Sequence, residues 1–385
     1  MRIALTAALL AAALGAGVAT PALAEAPRHG CYATKPLDTT ALRQVIAGLP
    51  NDEATAAIVR ATGPDGCWAG TAGVADRNRE TPVPPNARFR IGSVTKVFTA
   101  TVVLQLAAEE KISLDGTVQQ YLPGLLPDGY PQVTVRQLLN YTSGLPSPTL
   151  EENESIEYLV AHRFDRWTPQ QYVDLAVANP MEFEPGTRQH YRNINYIVAG
   201  MLIERVTGES YEDQVADRIL RPLRLSSTTG PGHDPAIHGP HLRGYQVMPD
   251  GSLKDVTRWN QSFGWAASSI ISTTRDLDVF TAALLGGRLL PPAQQAELFA
   301  VPAVKDVSGD PASYGGGLQR YKIPGVGEVW GKSGGWYGYL AGMGGTRDGQ
   351  RRLTYGLAVN DGKNGDNPTT LPQRIVFAGM TLSAA

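Results

Sequence analysis

Ile91-Gly92-Ser93-Val94-Thr95-Lys96 opens a strongly apolar segment that runs to about Glu109. Val97, Phe98, Val102, Val103, Leu104 and Leu106 would cover most of the circumference of a helix here, so the spacing predicts a central, buried helix opened by Ser93. On such a helix positions i and i+3 share a face, which brings Lys96 within reach of Ser93. A buried lysine amine that is partly neutral can take the serine proton and make a nucleophile without histidine. The helix N-terminus adds unpaired backbone N–H groups that favour developing negative charge. Alone the pattern is weak, since about one chance Ser-x-x-Lys is expected in a chain of this size. Its ordinary reading is an exposed serine and a surface lysine.

Outward from that helix, the pattern changes in both directions. Upstream, a helix is expected from Thr39 to Leu49 with Asp38 or Thr39 as N-cap, then strands over Ala56 to Thr62 and Gly66 to Ala75. Downstream, from about Lys111 to Pro240, helical signals alternate with long loops. Thr134 and Thr168-Pro169 open helices, Asn195 to Val206 forms one that stops at Gly208, and Ser210 with Asp213 starts the next. Ser226 to His241 is rich in Gly, Pro and Thr and reads as a surface loop. Thr273 with Asp276 opens a helix ending at Gly286. The remainder is strands over Gly315 to Lys322, Val326 to Gly334, Tyr337 to Thr346 and Arg352 to Asn360, before a last helix near Thr369 to Leu382. The C-terminal hairpins need no crossover helices, so the sheet is antiparallel and drawn from both ends of the chain. The fold class is α/β of the α+β type: one lobe from about 35–92 and 260–385, and a mostly helical lobe from about 93–259 inserted between.

The 385 residues carry a formal charge of −2 with both signs interspersed, which excludes a basic nucleic-acid surface or a strongly charged membrane face. Residues 1–24 read as a secretory signal: Arg2, a short apolar core from Ile3 to Ala13, and Ala22-Leu23-Ala24 as the cleavage site. That core is too short and alanine-rich for a membrane anchor. Residues 25–385 would be the secreted domain, a monomer on this reading. Its only cysteines are Cys31 and Cys67. In an oxidising compartment they are expected to pair, closing a loop worth roughly 4 kcal/mol in the chain-entropy model.

Two further motifs come later in the chain, in order. Tyr191-Arg192-Asn193 precedes the Asn195 helix, and Lys332-Ser333-Gly334 lies on an expected edge strand among glycines. A tyrosine beside a lysine ammonium has its pKa drawn down and can relay a proton. An asparagine amide can orient a substrate amide, and lysine with serine offers a charge and a hydroxyl to a carboxylate. Gly334 and Gly335 would let a substrate backbone approach closely. The six histidines form no metal pattern, and no cofactor is implied. Gly331-Lys332-Ser333-Gly334-Gly335 also fits a nucleophile elbow, but that elbow needs a helix after it and a later histidine. The residues after Gly335 are strand-like, and the last histidine of the chain is His241. As a phosphate-binding loop the segment fails because position 326 is valine.

Taken together, Ile91 to Lys96, Leu138-Leu139-Asn140-Tyr141-Thr142-Ser143-Gly144-Leu145, Pro185-Gly186 with Tyr191-Arg192-Asn193, and Lys332-Ser333-Gly334 resemble the penicillin-recognising serine hydrolases. That superfamily holds class C β-lactamases, secreted D-Ala-D-Ala carboxypeptidases, D-aminopeptidases and β-lactamase-like esterases. The resemblance implies Ser93 as acyl-enzyme nucleophile, with Lys96 and Tyr191 sharing general-base and general-acid duty in an order it leaves open. It implies Asn193 on the acyl-side amide, Lys332 as a positive charge, and Ser333 on a terminal carboxylate. The N–H groups of Ser93 and Gly335 would form an oxyanion hole. Trp259 resembles an aromatic lining the cleft, plain packing being its other reading.

The expected activity is that of a D-Ala-D-Ala carboxypeptidase that β-lactams acylate. The alternatives are an esterase, a class C-type β-lactamase, or a penicillin-binding receptor without turnover. Substrates would be small peptides, esters or β-lactams. Two departures bear on specificity. Arg192 stands where the resembling motif has a small residue and is expected to crowd or charge the cleft. The carboxypeptidase branch has a carboxylate-binding arginine directly after a Tyr-Gly-x-Gly-Leu strand, whereas Tyr314-Gly315-Gly316-Gly317-Leu318 is followed by Gln319 and only then Arg320. A one-residue shift on a strand turns the side chain to the other face.

Overall fold

Alternation of small and branched residues near Ile58 produces a strand buried on both faces. In the computed structural model, which describes residues 35–149, 155–361 and 369–385, this is β1 (Ala54–Gly63), paired antiparallel with β2 (Gly66–Asp76). The short β3 (Thr81–Pro82) lies beyond β2. From the other end of the chain come β4 (Gln319–Ile323), β5 (Gly327–Trp336), β6 (Tyr339–Gly345) and β7 (Arg352–Val359). The order across the sheet is β4-β5-β6-β7-β1-β2-β3, antiparallel throughout. The two chain ends meet where β1 pairs with β7, Ile58 opposite Gly356. The expected antiparallel sheet drawn from both ends is what forms.

Strand alternation splits the core in two. Ala56 and Ile58 join one large cluster, while Ala57, Val59 and Ala61 join another on the opposite face. That second face is covered by α1 (Thr40–Ile46) and α7 (Leu371–Met380). The first is covered by the helices between, chiefly α2 (Thr95–Ala108), α3 (Val135–Leu139), α4 (Ile194–Thr207), the single-turn α5 (Trp265–Ser268) and α6 (Thr274–Leu285). As its apolar circumference demands, α2 is buried on every side, Val97, Phe98, Val102 and Val103 being fully inaccessible.

The helix starts follow their caps. Thr134 closes a reciprocal capping box with Gln137, Thr168 does the same with Gln171, and Thr273 accepts from the Asp276 N–H. Several boundaries differ from expectation, three of them near the features that matter here. α1 stops at Ile46, ahead of Gly48 and Pro50. Ser93 sits on a 3-10 turn, Gly92–Val94, and the α-helix begins at Thr95. Gly315 to Leu318 is a tight turn, closed by the Gly315 N–H on Leu318 O at 2.9 Å, and β4 begins only at Gln319. Among the described residues no helix is long and apolar enough to cross a membrane. The expected signal, residues 1–24, and Cys31 lie outside the described residues. Cys67 sits on β2, half-buried.

Candidate active site

The site lies where β5 passes the start of α2. Here two glycines permit contact of backbone with backbone. A Cβ on Gly334 would fall 2.0 Å from Ile91 O and 2.8 Å from the Ser93 nitrogen, and one on Gly92 would fall 2.5 Å from Gly335 O. Any side chain at either position would push the strand off the helix. The strand was expected at the sheet edge. β5 is instead the second strand, but β4 stops pairing at Gln319 opposite Gly331, so Lys332 to Trp336 keep an open edge.

Lys96 is fully buried, and its ammonium donates in three directions: to Ser93 Oγ at 3.2 Å, Asn193 Oδ1 at 2.7 Å and Ala267 O at 2.9 Å. An ammonium has three protons, so every one has an acceptor. The three acceptors come from the 3-10 turn, from the residue ahead of α4 and from α5. That last turn is tied to α2 by neighbouring bonds. Thr99 Oγ1 donates to Ala266 O at 2.7 Å, and the Ile270 N–H donates to Thr95 Oγ1 at 3.1 Å. Trp265, with φ of +28°, is held by its indole N–H on Glu212 Oε1 at 3.1 Å.

Tyr191 stands between two lysines, with Lys96 Nζ 5.0 Å and Lys332 Nζ 4.6 Å from its ring centroid. Behind it Tyr141 packs at 4.8 Å and Tyr314 at 5.5 Å, centroid to centroid, and Tyr196 lies 5.3 Å from Tyr141. Burial holds the phenols of Tyr141, Tyr196 and Tyr314 above the ordinary range, so these three stay neutral around the two lysines. Tyr141 adopts φ of +61°, a strained conformation for a tyrosine, and its carbonyl accepts from the His190 N–H at 2.9 Å. Lys332 is 4% exposed and donates to Ser333 O at 2.8 Å. Burial pulls its pKa down to about 7.

Ser93, Lys96, Tyr191, Asn193, Lys332, Gly334 and Gly335 are therefore brought together. Ser333 is exposed and alternates to the face opposite Lys332. Trp259 is 6% exposed and stacks on Tyr337 at 4.6 Å, with Trp336 edge-on at 5.7 Å. It belongs to an aromatic cluster at the C-terminal end of β5, beside Gly335.

Arg192 does not stand as a loose charge in the cleft, because its Nε donates to Glu182 Oε1 at 2.7 Å. Gln319 uses its amide within the fold, donating to Ser313 Oγ at 3.1 Å and accepting from the Tyr321 hydroxyl. Arg320 falls opposite Trp330 with its Nε 4.0 Å from Glu328. Sequence reasoning missed Ala267, Thr99 and Glu182. Thr95 and Thr99 share a face with Lys96, a polar stripe on an apolar helix that could have flagged Thr99, whereas the Ala267 carbonyl leaves no such mark. Nothing local marks Glu182.

Comparison with known proteins identifies the family. A profile described as Beta-lactamase matches residues 42–379. The chain belongs to the beta-lactamase family. Among curated members of this family, penicillin-binding protein 4* of Bacillus subtilis is 27% identical over 301 residues, covering 73% of this chain and 63% of that protein. The chain thus spans less than two thirds of that relative's length. Among solved structures, a D-stereospecific amidohydrolase from Streptomyces sp. is 36% identical with a TM-score of 0.79, covering 89% of this chain and 99% of that one. A D-amino acid amidase from Ochrobactrum anthropi, complexed with D-phenylalanine, is 26% identical with a TM-score of 0.75 over 88% of this chain and 97% of that one. The chain therefore has the beta-lactamase/transpeptidase-like fold and is placed in the penicillin-recognising superfamily.

Proposed function

We propose that this chain hydrolyses amides and esters of D-configured acyl groups with neutral leaving groups, through an acyl-enzyme on Ser93. In this reading Ser93 Oγ attacks the carbonyl and its proton passes to Lys96 or Tyr191. The oxyanion is held by the Ser93 and Gly335 N–H groups, each donor worth roughly 10²–10³ in rate. The same base pair then protonates the leaving amine and activates the water that frees the acyl group. Asn193 holds the acyl-side amide, and Lys332 adds a positive charge to the site where it is protonated, below about pH 7.

The observation that carries the choice of leaving group is Gln319. It occupies the position of the carboxylate-binding arginine, its amide is committed to Ser313 and Tyr321, and Arg320 lies beside Glu328 instead. A D-Ala-D-Ala carboxypeptidase must bind a free carboxylate at that end, and a D-amino acid amidase need not. The likeness to the two D-specific amide hydrolases supports the same choice.

The test compares D- and L-phenylalanine amides, a short-chain ester and a peptide ending in two D-alanines, with wild type and Ser93→Ala, alongside intact-mass labelling by a penicillin. Turnover of the D-amide above the D-Ala-D-Ala peptide is expected, together with loss of both turnover and labelling in Ser93→Ala. Preference for the peptide would restore the carboxypeptidase reading, and stable acylation with no turnover would favour a receptor. We also propose export as a monomer with cleavage after Ala24 and a Cys31–Cys67 disulfide. Intact mass of the exported chain, with and without reduction and alkylation, checks the last two.

A further inference from the structure

Tyr191 continues from the short strand Arg188–Gln189, and alternate side chains there face opposite ways. Gln189 lies on the inner side, 2% exposed, and donates to Asn140 O at 2.8 Å and Tyr314 O at 2.9 Å. His190 and Arg192 flank Tyr191, and both end on one carboxylate. Glu182 Oε2 meets His190 Nδ1, while Glu182 Oε1 accepts from Arg192 Nε at 2.7 Å. One oxygen is assigned to each neighbour of the tyrosine.

The anchor is itself fixed. The Glu182 N–H donates to Gly144 O at 2.9 Å, and its carboxylate is 19% exposed. Further along the same loop, the Gly186 N–H donates to Thr142 O at 2.7 Å and the His190 N–H to Tyr141 O at 2.9 Å. The loop from 182 to 190 is thereby fastened to Tyr141–Gly144, the segment that also carries the tyrosine packed against Tyr191.

We propose that Glu182 is a positioning residue for Tyr191: by gripping the side chains on both sides of it, the carboxylate sets where the phenol stands relative to Ser93 and Lys96. This rests on the reading in which Tyr191 moves a proton. Charge-assisted bonds to two donors resist rotation of the segment better than one neutral bond would. Proton transfer demands such restraint, because a shift of about 1 Å costs on the order of 10²-fold in rate. It also gives Arg192 a role at a position where the resembling motif has a small residue: the arginine is the second arm of the clamp.

The experiment measures kcat and KM for a D-amino acid amide with Glu182→Ala, Glu182→Gln, Arg192→Met and the Glu182→Ala/Arg192→Met double variant. Tyr191→Phe runs in parallel, and near-UV circular dichroism checks the fold of each. Glu182→Ala is expected to lower kcat about tenfold to a hundredfold with KM within about threefold, and Glu182→Gln, which keeps one acceptor oxygen but neither the charge nor the second one, to recover only part of the loss. Arg192→Met should fall between, and the double variant should be no worse than Glu182→Ala, since the two residues act as one device. Folded Glu182→Ala with wild-type kcat overturns the proposal, as does a rise in KM at constant kcat. If Glu182→Ala does not fold, Arg192→Met with unchanged kcat is enough to reject it. Wild-type kcat in Tyr191→Phe would instead show that the reading of Tyr191 had failed, and the clamp with it.

Discussion

Lys96 and Asn193, 97 residues apart in sequence, meet at 2.7 Å between Nζ and Oδ1. That contact is shorter than the 3.2 Å between Lys96 and Ser93, its partner one helical turn away. The amide oxygen that orients the lysine therefore belongs to the tyrosine motif, and the carbonyl opposing it belongs to α5. The position of the Lys96 amine is decided by how α2, α4 and α5 pack.

Asn193 is the sharpest place to test this. Asn193→Asp would put a carboxylate where the amide oxygen stands, and an adjacent negative charge favours the ammonium. The acid limb of the kcat/KM profile should then move to higher pH. A limb that stays where it is in wild type would show that Lys96 does not lose a proton in the step being measured.

Thr99 supports the other side of the lysine. Its hydroxyl donates to Ala266 O at 2.7 Å and lies 2.9 Å from the Tyr211 hydroxyl, all of it buried. Thr99→Val strips a partner from the carbonyl next to Ala267. The expected cost is about 1–3 kcal/mol in urea unfolding, with a drop in kcat as the Ala267 carbonyl loosens.

At Gly334 the constraint is steric. With a Cβ 2.0 Å from Ile91 O, Gly334→Ala must separate β5 from the start of α2. Stability should fall by roughly 1–3 kcal/mol. Penicillin labelling should slow by on the order of 10²-fold, because Ser93 and Gly335 part by a fraction of an ångström. Labelling at the wild-type rate would contradict the close approach.

Lys332 sets a pH dependence of stability. Burial lowers its pKa from the ordinary 10.5 to about 7 in the folded chain. Between those values the unfolded chain binds the extra proton and the folded chain does not, so stability rises with pH across that window. Below about 7 the folded chain carries the full penalty of a buried charge. Lys332→Met should therefore be more stable than wild type in mild acid and should flatten the slope. Urea melts across that range measure it, and parallel curves for the two proteins would reject the assignment.

Much of this was legible in the chain because local chemistry and global packing agree. α2 needed only its apolar circumference, Thr134, Thr168 and Thr273 announced their helices, and the apolar, β-branched run around Ile58 read as a strand. The two lysines, Ser93, Tyr191 and Asn193 were named from their motifs and from the family resemblance that those motifs carry together. The start of β4 was not legible, since a run of glycines carries no side-chain pattern from which turn and strand can be told apart.

Glu182 and Ala267 mark the boundary most clearly. Side-chain identity and periodicity write themselves into a sequence, so the Ser93-to-Lys96 spacing, the antiparallel sheet and the candidate site motifs were legible there. A backbone carbonyl has no letter of its own. A carboxylate clamping two distant neighbours looks like any surface glutamate until loop closure brings it home. Which oxygen holds Lys96, which residue holds Tyr191 in place and where Arg192 and Arg320 spend their charge were decided only when segments far apart in the chain packed within hydrogen-bonding distance.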